Sequence, residues 1–232
     1  MMHLIKLFYH KDREIIMEIT LNGPEYRSSK ETNSICIFLH GWGSDGQDLI
    51  TLADQFSIEF PYMSFYSPNA PDVCSMNPYG RQWFEISIGS QKIEDIGDNV
   101  SALNKFIDEK IKINNILENR VFLMGFSQGG MMSLHVGLRR ENSIGGIISF
   151  SGALIFPDHL KEIKNGSPVL MVHGEDDEVV PFKEMNKGCN HLKDHNIEVE
   201  TLGIPKLGHG INDLGIKQAI KFMKEKLKEK KI

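Results

Sequence analysis

Seven short apolar runs alternate with longer segments of helical periodicity, and this alternation limits what the chain can fold into more than any other feature. The runs are rich in β-branched and aromatic residues and mostly lack polar alternation, which is typical of strands covered on both faces. They occupy residues 15–21, 35–40, 63–67, 121–125, 146–150, 169–173 and 197–202. We therefore expect helices packed against a buried sheet.

The helical segments carry apolar residues at intervals of three and four, which places an apolar stripe on one face of each helix. The clearest stripes cover residues 93–111, 131–138 and 216–227. Strands that alternate with helices are joined by right-handed βαβ crossovers, so the sequence predicts an α/β fold with a mostly parallel, doubly wound sheet and helices on both faces. Residues 4–10 and 15–21 flank the charged turn "KDRE" and predict an antiparallel N-terminal hairpin at one edge of the sheet.

The length of 232 residues is sufficient for one sizeable core, and we expect residues 1–232 to form a single domain. The polar segment 22–34 is interpreted as a connection rather than a domain linker, because too little chain precedes it to fold independently. The net charge of −5 gives no support for nucleic-acid binding, which usually shows as a basic domain.

Cysteine usage and hydropathy predict a cytoplasmic protein without stable membrane insertion. Cys36, Cys74 and Cys189 are too few and too scattered for a disulfide framework or a zinc site, and an odd number fits a reducing compartment. No segment reaches the roughly 18 apolar residues of a membrane span, and the amino terminus lacks the features of a signal peptide. The basic segment 221–231 also contains acidic residues, so we interpret it as a solvated helix face rather than a membrane-surface anchor.

A serine lies between two glycines in the stretch "GFSQG", where a predicted strand passes into a predicted helix. A sharp strand-to-helix turn holds the residue at its tip in a strained conformation, and flanking glycines let strand and helix approach without Cβ clashes. Ser127 is then expected to project above the carboxyl edge of the sheet, where amides at the start of the helix favour a developing negative charge. This position suits the nucleophile of an acyl transfer reaction.

A serine hydroxyl needs a base to remove its proton and an acid to orient that base. In the fold that this motif predicts, the acid and then the histidine follow the serine in the chain. His209 follows the last predicted strand at a glycine-rich turn, which makes it the candidate base. Three adjacent carboxylates follow the strand 169–173, and on position alone each is a candidate acid: Glu175, Asp176 and Asp177.

An acyl transfer site also needs amide donors for the oxyanion that forms on the substrate carbonyl. The glycine-rich turn after the strand 35–40 supplies one, so we expect the backbone amides of Trp42 and Gln128 to form the oxyanion hole. His40 and His173 each end a predicted strand, and we interpret both as structural residues that shape the following turn. Asp45 and Asp48 are interpreted as turn and helix-cap residues rather than a metal pair, because no His or Cys accompanies them at ligand spacing.

Six segments occur together, in one order, from about residue 34 to the end of the chain: "FLHGWGSDG", "SPNAP", "RQWFEI", "GFSQGG", "HGEDDEVVP" and "GHGI". In these six segments and their order, the chain resembles the phospholipase/carboxylesterase family of α/β hydrolases, which includes acyl-protein thioesterases and bacterial carboxylesterases. The resemblance implies an α/β-hydrolase fold and a triad without metal or cofactor. By position it assigns these roles: Ser127 as nucleophile, Asp177 as acid, His209 as base, and Trp42 and Gln128 as oxyanion donors. Asp177 takes the acid role because it precedes Pro181 by four residues in D-x-x-V-P.

The sequence departs from the family at two of these segments, where members often have Leu at position 42 and Pro at position 178. A bulkier Trp42 bears on the shape of the acyl pocket rather than on the chemistry. By resemblance Trp83 and Phe84 are expected near the site and are candidate substrate-binding residues, with a role as core aromatics an equal alternative. Further apolar loop residues are candidates for an acyl groove, with inward packing as the alternative: Met76, Leu154, Phe156 and Leu207.

These features predict a serine hydrolase that cleaves carboxylic esters or thioesters through an acyl-enzyme, of the carboxylesterase, lysophospholipase or acyl-protein thioesterase type. The expected partner is a small-molecule or lipid substrate; nucleic acid is not expected, and a homodimer is left open. A peptidase on the same fold is the first alternative, although such enzymes usually carry a gating domain for which this chain has no room. A non-catalytic binding module is the second, although it predicts a missing triad member.

Overall fold

The computed structural model of the protein describes residues 7–9, 15–17, 19–86, 96–155 and 162–229. In chain order the strands are β1 (Leu7–Tyr9), β2 (Ile15–Met17), β3 (Glu25–Tyr26), β4 (Ser34–Leu39), β5 (Met63–Tyr66), β6 (Asp72–Cys74), β7 (Asn77–Gln82), β8 (Val121–Phe126), β9 (Gly146–Phe150), β10 (Val169–Gly174) and β11 (Val199–Ile204). The α-helices are α1 (Gly46–Ile50), α2 (Ala53–Glu59), α3 (Gly97–Asn114), α4 (Gln128–Gly137), α5 (Lys183–Asp194) and α6 (Asp213–Glu229). A short 3₁₀ turn at Glu118–Arg120 leads into β8.

The main sheet has seven strands in the order β11-β10-β9-β8-β4-β5-β3. Every neighbouring pair from β11 to β5 is parallel, and only β3 runs antiparallel to its neighbour β5. The chain builds outward from β4 to β5 and then crosses to β8 on the other side of β4. The mostly parallel, doubly wound sheet expected from the sequence is therefore confirmed, and its order reverses between β4 and β8, where such sheets bind ligands at their carboxyl edge.

The N-terminal hairpin is antiparallel as expected, but its predicted position at an edge of the main sheet is wrong. Strands β1 and β2 form a two-stranded sheet of their own, and β3 is the edge strand instead. A second hairpin, β6–β7, was not expected from the pattern. It contains Pro78 and Gly80 and is largely polar and exposed, so it carries no apolar alternation. Residues 93–95, where the first predicted helical stripe begins, lie outside the described residues.

Both faces of the sheet are covered. Every residue of β4 is buried, although alternate side chains of a strand point to opposite faces. Ile35 and Ile37 belong to a cluster that includes residues of α3, α4 and α5. Cys36 and Phe38 belong to a second cluster with residues of α1, α2 and α6. These two layers fix the sheet between helices and leave its carboxyl edge for loops. Among the described helices none is long and apolar enough to pass through a membrane.

The start of α4 packs unusually close to the ends of β8 and β4. A Cβ atom added at Gly129 would lie 1.8 Å from the carbonyl oxygen of Leu39 and 2.6 Å from that of His40. One added at Gly125 would lie 2.1 Å from the carbonyl oxygen of Gly129. These neighbours are backbone atoms, which cannot move aside as a flexible side chain can. The glycines are thus required by the closeness of three backbone segments.

We expect Gly129→Ala to lower the free energy of unfolding by about 3 kcal/mol, because overpacking against backbone forces α4 away from the sheet. The measurement is urea unfolding followed by circular dichroism. Gly166→Ala is the matched control, since nothing lies within 4 Å of a Cβ added at Gly166. The control should be neutral or stabilise by up to about 1 kcal/mol. Equal effects of the two substitutions would contradict this account of the packing.

Candidate active site

Ser127 occupies the turn between β8 and α4 in the conformation that the motif predicts. Its φ of 54° and ψ of −118° lie outside the regions that residues with a Cβ favour, and such a conformation costs about 1–3 kcal/mol. The turn is held because the Ser127 amide donates to the carbonyl oxygen of Phe150 at 2.8 Å. The Met131 amide in turn donates to the carbonyl oxygen of Ser127 at 3.0 Å. The side chain stays partly exposed at the carboxyl edge of the sheet.

Asp177 lies in the turn after β10, and its side chain is fully buried. One carboxylate oxygen, Oδ1, accepts hydrogen bonds from the amides of Val179 and Val180, each at 2.9 Å. The other, Oδ2, lies 2.8 Å from Nδ1 of His209 and 3.2 Å from Nε2 of His173. Burial alone would raise the pKa of the Asp177 carboxyl, but the hydrogen bonds from His209 and the two amides outweigh it and lower the pKa. The site therefore stabilises a carboxylate at this position.

His209 lies in the loop between β11 and α6 and reaches back over the sheet edge. Its Nδ1 faces the Asp177 carboxylate, and its ring centroid lies 4.9 Å from that of Phe126, the residue before Ser127. The loops after β10 and β11 are in close contact here, since a Cβ added at Gly174 would lie 2.2 Å from the carbonyl oxygen of Leu207. His209 thus contacts the candidate acid and the strand end that carries the candidate nucleophile. Its side chain is 18% exposed, which leaves an approach for substrate.

The three carboxylates that sequence position left open have different surroundings. Asp177 is buried, whereas Glu175 and Asp176 are exposed. The Asp176 amide donates to the carbonyl oxygen of Leu207 at 3.0 Å, and this bond joins the two loops. Asp177 is the one among the three that hydrogen-bonds to His209.

The loop after β4 carries the first expected oxyanion donor, and the β6–β7 hairpin supports it. Gly43 donates to the carbonyl oxygen of Arg81 at 2.9 Å, and Arg81 donates back to Ser44 at 2.7 Å. The Asn77 side chain donates to the carbonyl oxygen of Gly43 at 2.8 Å. Gly43 has a φ of 76°, a left-handed conformation that glycine adopts without strain. Among the described residues no acceptor is hydrogen-bonded to the Trp42 amide.

The second expected donor is the Gln128 amide, at the first position of α4. The first amides of a helix have no acceptor within the helix, and the helix dipole favours negative charge near them. The Gln128 side chain is buried and accepts from the Trp83 amide at 2.8 Å, while it donates to the carbonyl oxygen of Phe84 at 2.7 Å. This side chain was not singled out in the sequence. Nothing in the sequence around Gln128 indicates that its side chain hydrogen-bonds to backbone groups more than 40 positions away.

Other residues of the loop after β4 have structural partners. Asp45 caps α1 by accepting from the Gln47 amide, and Asp48 accepts from the Ser44 hydroxyl at 2.9 Å. These contacts agree with the turn and cap roles expected for the two aspartates. The half-buried Trp42 indole donates to Oε1 of Gln82 at 2.9 Å, a bond that a leucine at this position could not make.

The candidate substrate-binding residues differ in burial and in the side of the sheet on which they pack. Trp83 and Phe84 are 0% and 2% exposed and pack in the core, which agrees with the alternative reading as core aromatics. Met76 is 65% exposed in the turn between β6 and β7. Leu154 packs against the α3–α5 side of the sheet and Leu207 against the α6 side. Phe156 lies outside the described residues. The role of all of these in substrate binding stays a prediction.

Comparisons with protein families, with related sequences and with solved structures agree on one protein family. A model of the phospholipase/carboxylesterase family matches residues 26–227. Acyl-protein thioesterase 1 of Schizosaccharomyces pombe is 29% identical over 219 residues, which span 89% of this chain and 96% of that protein. Carboxylesterase SOBER1 of Arabidopsis thaliana is 30% identical over 210 residues, which span 83% of this chain and 90% of that protein. Among solved structures, esterase PE8 matches with a TM-score of 0.86 and 34% identity, over 89% of this chain and 99% of that one.

The lowered pKa of Asp177 predicts a pH-dependent contribution to stability. Because the folded-state pKa lies below the unfolded value, which is near 3.8, the contribution is fully present above about pH 5 and is lost as the pH falls below about 4. We expect the difference in free energy of unfolding between wild type and Asp177→Asn to shrink as the pH is lowered from about 6 to about 3. Chemical denaturation at each pH measures this difference.

The control is Glu31→Gln, which removes one carboxylate from an exposed loop position. It should change the pH dependence much less than Asp177→Asn does. A difference between wild type and Asp177→Asn that stays constant or widens toward low pH would contradict the hydrogen-bonded carboxylate described above.

Proposed function

Because this chain belongs to the phospholipase/carboxylesterase family of α/β-hydrolase enzymes, which hydrolyse esters, we propose that it cleaves carboxylic esters or thioesters through an acyl-enzyme on Ser127. The family and fold expected from the sequence are confirmed by the same comparisons. The observation that carries the proposed triad is the placement of His209. It hydrogen-bonds to the buried Asp177 carboxylate and contacts Phe126, next to the strained Ser127 turn.

In the first half of the reaction, Nε2 of His209 takes the proton of the Ser127 hydroxyl while Oγ attacks the acyl carbonyl carbon. The carbonyl oxygen becomes an oxyanion and accepts hydrogen bonds from the amides of Trp42 and Gln128. When the tetrahedral species collapses, the bond to the leaving group breaks, and His209 donates its proton to the departing alkoxide or thiolate. The products are the free alcohol or thiol and an ester of Ser127.

In the second half, a water molecule takes the place of the alcohol. His209 removes a proton from this water as its oxygen attacks the Ser127 ester, and the proton then passes to Oγ as the carboxylic acid leaves. Asp177 accepts the Nδ1–H hydrogen bond throughout, which keeps Nε2 as the basic nitrogen and stabilises the transient imidazolium. Three donors to its carboxylate, the amides of Val179 and Val180 and Nδ1 of His209, support this role, because they favour the charged form.

The oxyanion donors are expected to supply a large part of the rate enhancement. Loss of one preorganised donor typically costs about 3–4 kcal/mol of transition-state stabilisation. Both proposed donors come from backbone that is held by tertiary contacts: the Trp42 loop by β7, and Gln128 by the close packing of α4. The donors therefore need little reorganisation when the charge develops.

Covalent labelling tests the proposed nucleophile. We expect a fluorophosphonate probe to modify the wild type and to leave Ser127→Ala unmodified, with a fall in kcat/KM for p-nitrophenyl esters of at least about 10⁴-fold. Ser57→Ala, on α2, is the matched control and should react like the wild type. Labelling that survives in Ser127→Ala, or a wild type that neither reacts nor turns over ester, would overturn the assignment.

A substrate panel separates esterase and thioesterase activity from the two alternatives. We expect p-nitrophenyl acyl esters, lysophospholipids or an S-acylated peptide to be hydrolysed at least about 100-fold faster than the matching N-acyl peptide amide. The names of the related acyl-protein thioesterase and carboxylesterase support this choice. Preferential cleavage of the amide would favour a peptidase. Binding of acyl compounds without turnover would favour a non-catalytic module.

A further inference from the structure

The carbonyl oxygen of Gly41 is held from two sides. Nδ1 of His40 lies 2.8 Å from it, and the Ser44 amide donates to it at 3.2 Å. This oxygen belongs to the same peptide group as the Trp42 amide, which is the first proposed oxyanion donor. The peptide is trans, so its C=O and N–H point in opposite directions within one plane. Whatever fixes the Gly41 oxygen therefore also fixes the direction of the Trp42 N–H.

The imidazole of His40 is restricted to one tautomer by its surroundings. The Ala70 amide donates to Nε2 at 3.0 Å, so Nε2 must be the unprotonated nitrogen and Nδ1 carries the hydrogen. Nδ1–H then donates to Gly41. The ring is fully buried, and burial is the main reason that the pKa of His40 is lowered. A neutral ring is the form that can accept from Ala70 and donate to Gly41 together.

Trp83 connects the preceding peptide, His40–Gly41, to the second donor. Its indole N–H donates to the carbonyl oxygen of His40 at 3.0 Å, and the two rings lie 5.4 Å apart. Its backbone amide donates to the Gln128 side chain at 2.8 Å, and Asn99 donates to its carbonyl oxygen at 2.8 Å. All four residues are at least nine-tenths buried. One hydrogen-bonded path thus runs from His40 through Trp83 to Gln128, whose own amide is the second oxyanion donor.

We propose that His40 and Trp83 are positioning residues that hold the Trp42 and Gln128 amides at the separation and orientation that the oxyanion requires. This inference rests on the proposed function. It gives Trp83 a role beyond the two alternatives left by the sequence, a pocket wall or a core aromatic: the indole acts through its hydrogen bond, from within the core. Loss of the bond changes the alignment of a donor that acts mainly in the transition state, so kcat falls while KM changes little.

The first test is Trp83→Phe, which keeps an aromatic ring and removes the indole N–H. We expect kcat for a p-nitrophenyl ester to fall about 10- to 100-fold with KM within about threefold. A trifluoromethyl ketone, which forms an oxyanion on the serine, should lose affinity by the same factor as kcat/KM. Tyr66→Phe is the control, because it removes a buried hydroxyl that is hydrogen-bonded to Asn114. It should alter stability and leave kcat unchanged.

The second test uses two amide replacements of His40 and does not depend on whether Trp83→Phe folds. Asn presents its N–H near the position of Nδ1, whereas Gln presents it near that of Nε2. If Nδ1–H orients the Gly41–Trp42 peptide, His40→Asn should keep at least about 10-fold more kcat than His40→Gln, at matched KM and matched free energy of unfolding.

Three results would overturn the positioning role: a folded Trp83→Phe with kcat within twofold of wild type, a loss confined to KM, or His40→Gln as active as His40→Asn. Fluorophosphonate labelling distinguishes these results from failure of the proposed function. Wild type that is labelled on Ser127 and turns over ester shows that the acyl chemistry stands even when the positioning role fails. If the wild type is neither labelled nor active, the proposed function and the positioning role are both overturned.

Discussion

The site depends on the close approach of α4 to the ends of β4 and β8. Gly129 has no Cβ, and its position against the carbonyl oxygens of Leu39 and His40 lets the helix begin directly over the switch between the two central strands. This one contact places the Ser127 turn, the first amides of α4 and the loop that leaves β4 within the same small region. A larger separation would leave the candidate nucleophile and the two proposed oxyanion amides on the same fold but out of mutual reach. The strain at Ser127 is sustained by the packing around it.

The sequence predicted the sheet well because its central strands are buried on both faces. Residues 35–39 and 121–125 carry no polar side chain, a pattern typical of strands covered on both faces. Strand β3 and the β6–β7 hairpin escaped prediction for the opposite reason. Two residues of β3 pair with β5 in a polar segment. The hairpin exposes Val73 and Tyr79, and it pairs with the loop after β4 through the bridge between Ser44 and Arg81. Backbone pairing of this kind leaves no apolar periodicity in the sequence.

The sequence indicated the candidate residues whose side-chain chemistry the reaction requires. It did not indicate the residues that hold those candidates in position. Serine, carboxylate and histidine after three separate strands, β8, β10 and β11, form a pattern that can be read along the chain. The contacts of Asp177 distinguish it from its two exposed neighbours. The Gln128 side chain gave no such signal, because its partners Trp83 and Phe84 are far away in sequence. Trp83 shows the limit clearly. An aromatic residue near a site is equally suited to a pocket or a core until its burial and its N–H partner are known.

A His-Gly pair occurs at the end of two strands: His40 directly follows β4, and His173 lies at the end of β10. Each imidazole hydrogen-bonds to a carbonyl oxygen of the loop that follows its strand. His40 donates to the carbonyl oxygen of Gly41, within the loop that presents the Trp42 amide. Nε2 of His173 lies 2.8 Å from the carbonyl oxygen of Val180 and 3.2 Å from Oδ2 of Asp177, within the loop that presents the candidate acid. A short loop at a sheet edge has few backbone partners of its own, so a buried imidazole that reaches forward from the strand can replace them. The two loops are therefore fixed to the ends of buried strands by these side-chain hydrogen bonds. Rigid loops are what acyl transfer needs, because donors and acid must be in place before the charge develops.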